Sequence, residues 1–192
     1  MATPSNHSLW SPDVYSKAWN FATLAHHGQR YGGPHHETYF DYLNHIGSVA
    51  MEVTHAIVQS PPCDADLAVQ CALLHDVLED TEATHDQLVE QFGPAVAAGV
   101  LALSKDTTLP KEEQLADSLR RIRLQPREVW MVKLADRITN LYHPPFYWGN
   151  DKILAYQQEA RFIWEQLHEA NDALSRRLLE MISRYPQFLR KG

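Results

Sequence analysis

The chain has 192 residues, which suits one domain with a real core and is short for two. Hydrophobic residues make up 44% and charged residues 21%, proportions that argue against a disordered or fibrous chain. The formal net charge is −7, and the basic residues are dispersed apart from clusters near Arg120 to Arg127 and Arg176 to Lys191, so no nucleic-acid footprint is visible.

Helix starts are marked along the chain by Ser11 before Pro12, Asp64 before an apolar run, Thr84 with Gln87 three residues on, Pro126 after Gln125, and Asn171. Periodicity predicts helices near 12–30, 43–59, 65–80, 85–91, 94–103, 111–124, 126–142, 150–169 and 172–184, with turns at Pro61-Pro62 and Gly93-Pro94. Strand signals are sparse. The expected fold is an all-α helical bundle forming a single domain over residues 1–192. The longest irregular piece, Arg30 to Tyr42, is rich in aromatics and glycine and reads as a functional loop. A second loop, HPPFYWGN, follows the helix that ends near Tyr142. No run of about 18 apolar residues predicts a membrane span. Two cysteines, Cys63 and Cys71, with no signal peptide, fit a reducing cytoplasm better than a disulfide scaffold.

The stretch CALLHDVLEDTEAT, Cys71 to Thr84, places a histidine and an aspartate at the end of a nearly all-apolar run. Burying such groups unpartnered costs about 2–7 kcal/mol for a neutral polar group and more for a charge. A divalent cation would satisfy them. Four-residue spacing puts Glu79 on the face of His75 and Asp80 on that of Asp76, one helical turn on. Such acids can orient or deprotonate a water that the metal polarises.

Further ligands come from MVKLADRITNL, Met131 to Leu141, where Lys133, Asp136, Arg137 and Asn140 interrupt an apolar helix, and from His45 at the start of another. His45, His75, Asp76 and Asp136 make a mixed nitrogen and oxygen set. It suits Mn²⁺ or Fe²⁺ best, and Zn²⁺ stays open. Arg137 reads as a structural ion-pair residue, because a charge in an apolar helix is usually paired.

In the order His45, HDVLEDT, KLADRITN, the chain resembles the HD-superfamily hydrolase domain of bacterial alarmone synthetase/hydrolases and the stand-alone small alarmone hydrolases. The resemblance runs from about Phe21 to Leu167 and takes in AHHGQR, LSKDTTLPKEE and KILAYQQEA. It implies an all-helical HD-domain fold, a cytoplasmic role in the stringent response, and Mn²⁺-dependent removal of the 3′-pyrophosphate of ppGpp or pppGpp. It places metal ligands on His45, His75, Asp76 and Asp136, the acidic pair that activates water on Glu79 and Asp80, and a nucleotide contact on Asn140. Lys133 or Arg30 is expected to neutralise charge on the leaving pyrophosphate.

The chain departs from the family where the base is recognised. Tyr31 and Gly32 stand where a basic pair is typical, PHHETYFD is inserted before Tyr42, and His143 replaces a small hydroxylated residue. Tyr31 can stack on a purine but offers no guanidinium. The expected partner is a small nucleotide, with neither nucleic acid nor membrane, and the oligomeric state is left open. Two alternatives stand beside the alarmone hydrolase: an HD phosphohydrolase acting on another nucleotide, and a non-catalytic nucleotide sensor.

Overall fold

The computed structural model describes residues 10–59 and 63–190. The turn expected at Pro61-Pro62 lies outside them. Ser11 caps α1 (Pro12–Ala25), accepting from the Val14 amide, and Asp64 caps α3 (Ala65–Leu74) through the Leu67 amide. Between them, β1 (Arg30–Gly32) and β2 (Tyr39–Asp41) form an antiparallel hairpin that leads into α2 (Leu43–Val58). After α3 come α4 (Val77–Asp80), α5 (His85–Phe92), α6 (Pro94–Leu103), α7 (Lys111–Ile122) and α8 (Arg127–Asn140). The chain closes with α9 (Asn150–Leu167) and α10 (Asp172–Arg184), each followed by a short 3₁₀ turn. The capping box at Thr84 and Gln87 is present, and Asn171 caps α10 through the Ala173 and Leu174 amides.

Two helices carry the core. In α3, Leu67, Ala68, Val69, Cys71, Ala72, Leu73 and Leu74 are all buried, and the helix packs against α1, α2, α6 and α8. Residues 131–139 of α8 are buried as well, including Lys133, Asp136 and Arg137. Polar groups on α8 are therefore held in the middle of the bundle. Close packing between α3, α6 and α8 depends on Gly99, where an added Cβ would stand 2.8 Å from Cys71 Sγ and 2.9 Å from Val129 Cγ2. Gly99→Ala is expected to destabilise the fold by about 1–3 kcal/mol through overpacking, which outweighs the helix preference for alanine. A lower urea midpoint at unchanged slope would show it, and an unchanged midpoint would mean the contact is softer than drawn.

Three expectations need correction. The first helix ends at Ala25 rather than residue 30, because the chain turns at Gly28, whose φ is +78°. The expected helix over 65–80 breaks after Leu74: Asp76 takes φ −105° and ψ −1°, the bridge region between helix and strand. Third, Arg30 to Asp41 is a two-stranded hairpin rather than an irregular loop, in register Arg30 to Asp41, Tyr31 to Phe40 and Gly32 to Tyr39. Among the described residues no helix is long and apolar enough to cross a membrane.

Candidate functional site

The break after α3 matters because it redirects Asp76 toward its own neighbour. Asp76 Oδ2 lies 3.0 Å from His75 Nε2 and 3.6 Å from His45 Nε2, which reaches in from the first turn of α2. The two ring nitrogens are 3.2 Å apart. His45, His75 and Asp76 thus offer ligand atoms mutually within 4.8 Å. Asp136, from α8, faces the same nitrogens with Oδ1 at 3.4 Å from His45 and 3.9 Å from His75. Three separate stretches of sequence converge.

Hydrogen bonds behind the rings set which nitrogen is free. His75 Nδ1 is 2.8 Å from the Ala72 carbonyl and so must carry the proton. Thr139 donates its own proton to the Asp136 carbonyl at 2.9 Å, leaving its oxygen to accept from His45 Nδ1 at 3.2 Å. In the neutral rings both Nε2 lone pairs therefore point at the cluster. Two imidazole lone pairs and two carboxylates fit a divalent cation, and no thiolate takes part.

The electrostatics agree. Burial pushes the Asp76 carboxyl up, but the adjacent His75 and His45 outweigh it and hold the group well below the usual carboxylate range. Asp136 is drawn down in the same way against its burial, chiefly by Lys133, whose Nζ donates to Oδ2 at 3.0 Å. Burial would lower the His45 imidazole, yet Asp136 and Asp76 together raise it to about 9. In the absence of a cation, the anionic pair draws protons onto the rings instead.

The two acids of the HDVLED stretch sit differently. Glu79 is taken up by Lys105, accepting from its Nζ at 2.7 Å and from its backbone amide at 2.9 Å. Asp80 is joined to the cluster through Tyr42, whose hydroxyl donates to Asp76 Oδ2 at 2.6 Å and lies 3.0 Å from Asp80 Oδ2. A phenol has one proton, so both contacts are complete only when Asp80 holds a proton of its own. Burial, with Asp76 and Glu79 nearby, raises the Asp80 carboxyl in keeping with this. Asp80 is the acid poised to exchange a proton beside the cluster.

Two cavities meet over these residues. One, of about 780 Å³, is an aromatic chamber walled by Tyr31, Tyr142, His143, Pro145 and Trp148. The other, about 1400 Å³ and more open, is a trough with Lys105, Lys111, Lys133 and Lys152 among its walls. Tyr42, His45, Asn140 and Tyr156 line both. Asn140 is oriented by its own hydrogen bond to Asp136 Oδ1, at 2.6 Å. The hairpin roofs the chamber: Phe146 donates to the Gly33 carbonyl at 2.9 Å, and a Cβ on Gly32 would stand 2.7 Å from Tyr147 Cε1.

Of the residues singled out in the sequence, the structure brings His45, His75, Asp76, Asp136, Glu79, Asp80, Lys133 and Asn140 to one place, with Tyr31 and His143 in the adjoining chamber. Arg30 does not join them. Its side chain is largely solvent-exposed on the hairpin, 3.6 Å from Asp41 and over the Tyr39 ring. Arg137 pairs with Glu159 at 3.6 Å, as expected of a structural ion-pair residue, and its guanidinium also lies 4.0 Å over the Tyr156 ring. Tyr42, Thr139, Lys105, Lys111, Lys152 and Tyr156 were missed as site residues. Tyr42 had a signal, since it stands three residues before His45 at a helix entrance.

Residues 18–173 match the HD domain family model. The guanosine-3′,5′-bis(diphosphate) 3′-pyrophosphohydrolase MESH1 of Danio rerio is 30% identical over 95% of this chain and 96% of its own length. The human MESH1 is 31% identical over 84% and 89%. A GTP pyrophosphokinase of Myxococcus xanthus is 35% identical over 67% of this chain, which spans only 17% of that longer protein. Among solved structures, one described as a metazoan ortholog of SpoT that hydrolyzes ppGpp and plays a role in starvation responses superposes with a TM-score of 0.76, at 25% identity over 96% of this chain and 98% of its own. With the motif residues gathered in one cluster and the match running nearly end to end, the chain belongs to the HD-domain family and to the MESH1 group within it.

Proposed function

We propose that this protein hydrolyses ppGpp and pppGpp at the 3′ position, releasing pyrophosphate and leaving GDP or GTP, with Mn²⁺ as the resident cation. The observation that carries the reading is the meeting of an aromatic chamber and a lysine-lined trough directly over the His/Asp cluster. The aromatic walls suit a purine, and the lysines, set among acids, suit a pyrophosphate held with a cation. The MESH1 relatives carry the 3′-pyrophosphohydrolase activity on guanosine-3′,5′-bis(diphosphate) in their names.

His45, His75, Asp76 and Asp136 would hold the cation, which supplies Lewis-acid polarisation of a phosphate oxygen and a lowered water pKa. The remaining work falls to the chain. Once Asp80 has released its own proton, its carboxylate accepts one from a water whose oxygen bonds to the phosphorus on the ribose 3′ oxygen; the bond between that phosphorus and the 3′ oxygen breaks, and the proton passes on to the 3′ oxygen, which leaves as the ribose hydroxyl. The raised pKa of Asp80 makes it a better base than an ordinary carboxylate. Tyr42 fixes its orientation. Lys133 and Lys105 would face the charge on the pyrophosphoryl group as it passes to water, and Asn140 would face the ribose at the junction of chamber and trough. Tyr31 and His143 would contact the base.

A second reading, an HD phosphohydrolase for another nucleotide, is favoured by the chamber lining, where no arginine or lysine replaces the family's basic pair. Incubating Mn²⁺-loaded protein with ppGpp and pppGpp and separating the products by anion exchange tests both. GDP or GTP with an equal amount of pyrophosphate is expected. Orthophosphate from another nucleotide, with ppGpp untouched, would move the assignment to the second reading; tight binding without turnover would make the protein a sensor. The reading carries with it a cytoplasmic place in the stringent response.

A further inference from the structure

The loop after α8 walls the aromatic chamber, yet it has no helix or strand of its own to hold it. Its first residues are anchored from behind. The Tyr142 hydroxyl donates to Glu52 Oε1 at 2.6 Å, and Glu52 is only 2% exposed on the core face of α2. Arg177 of α10 grips the same carboxylate, with Nε 2.7 Å from both oxygens and Nη2 2.6 Å from Oε1. Burial and the neighbouring carboxylate push the Tyr142 phenol up to about 12, so it stays a donor throughout the neutral range.

A carboxylate this deep needs a counter-charge and hydrogen bonds, and Arg177 supplies both by itself. The phenol is not needed for that purpose. What its bond to Glu52 does is pin the Tyr142 ring, two residues beyond Asn140, against the chamber. The outer end of the same chain of contacts opens on a surface cleft between α2 and α10, lined by His55, Gln59, Arg176 and Glu180 beside Arg177.

We infer that Glu52 and Arg177 are positioning residues that fix Tyr142 as a wall of the nucleoside subsite, so that nucleotide affinity is set from α10. The inference rests on reading the chamber as the place of the nucleoside. Its test uses the full chain as wild type, Tyr142→Phe, Arg177→Met and the double variant, with GDP as the probe in titration calorimetry and ppGpp turnover beside it. Each single variant is expected to bind GDP about five- to tenfold more weakly and to raise KM alike, with kcat within about twofold. The double variant should bind no worse than the weaker single, because both act through one contact. GDP affinity unchanged in the variants, with only a lower melting temperature, would reduce the trio to a structural staple and overturn the inference. Additive losses, or a wild type that does not bind GDP, would also overturn it. If Arg177→Met fails to fold, Tyr142→Phe decides alone, since it removes one oxygen and leaves Glu52 paired. Wild type that binds GDP but leaves ppGpp intact would sink the hydrolase reading and keep this test in force.

Discussion

Asp76→Ala is expected to yield a chain that retains no divalent cation and no longer hydrolyses ppGpp. The substitution deletes the carboxylate nearest His75, at 3.0 Å, which also lies 3.6 Å from His45, and strips the Tyr42 hydroxyl of its 2.6 Å acceptor. Removing a metal that polarises both water and phosphate forfeits several kcal/mol of transition-state stabilisation, about a thousandfold or more in kcat/KM. Metal analysis after dialysis against Mn²⁺ should fall from about one ion per chain to none, and the rate should fall with it. Full metal occupancy in the variant would mean that the ion sits elsewhere.

The second large effect separates the two acids. Asp80→Asn keeps the size of the side chain and, in its amide N–H, a donor to the Tyr42 oxygen, but can no longer take a proton, so kcat is expected to drop about 10²- to 10⁴-fold with the metal retained. Glu79→Gln should cost less, because Glu79 is already engaged by the side chain and backbone amide of Lys105. Steady-state kinetics with metal content measured on the same samples gives the comparison. If the Glu79 variant is the more damaged, the proton passes through the other carboxylate and the role given to Tyr42 fails with it.

Four of the described helices could be read directly because their caps are local chemistry: Ser11, Asp64, Thr84 with Gln87, and Asn171 each bond to an amide two or three residues away. The break at Asp76 was hidden. Apolar spacing over Leu67 to Leu78 continues across it, and periodicity records which residues are buried, not whether the backbone stays helical between them. The hairpin was hidden for another reason, since two three-residue strands lying largely at the surface leave no alternation to detect.

The cluster itself was legible because a histidine and two aspartates in otherwise apolar runs must meet something. What spacing could not give were the long-range partners: Lys105 lies 26 residues from Glu79, Thr139 lies 94 from His45, and Tyr42 lies 34 from Asp76. Arg137 follows the general rule that a buried charge is paired, through Glu159 at 3.6 Å, and adds a contact that spacing could not give, its guanidinium lying over the aromatic face of Tyr156.

The hairpin is clipped to the loop after α8 by the Gly33 carbonyl and a closely fitted Gly32, while the groups that would perform the chemistry belong to helices buried in the bundle. On the proposed reading, the walls that would meet the base come largely from this surface clasp, and the groups that would hold the ion come from elsewhere. A substitution in the clasp would then alter which nucleotide is admitted while His45, His75, Asp76 and Asp136 stay in place.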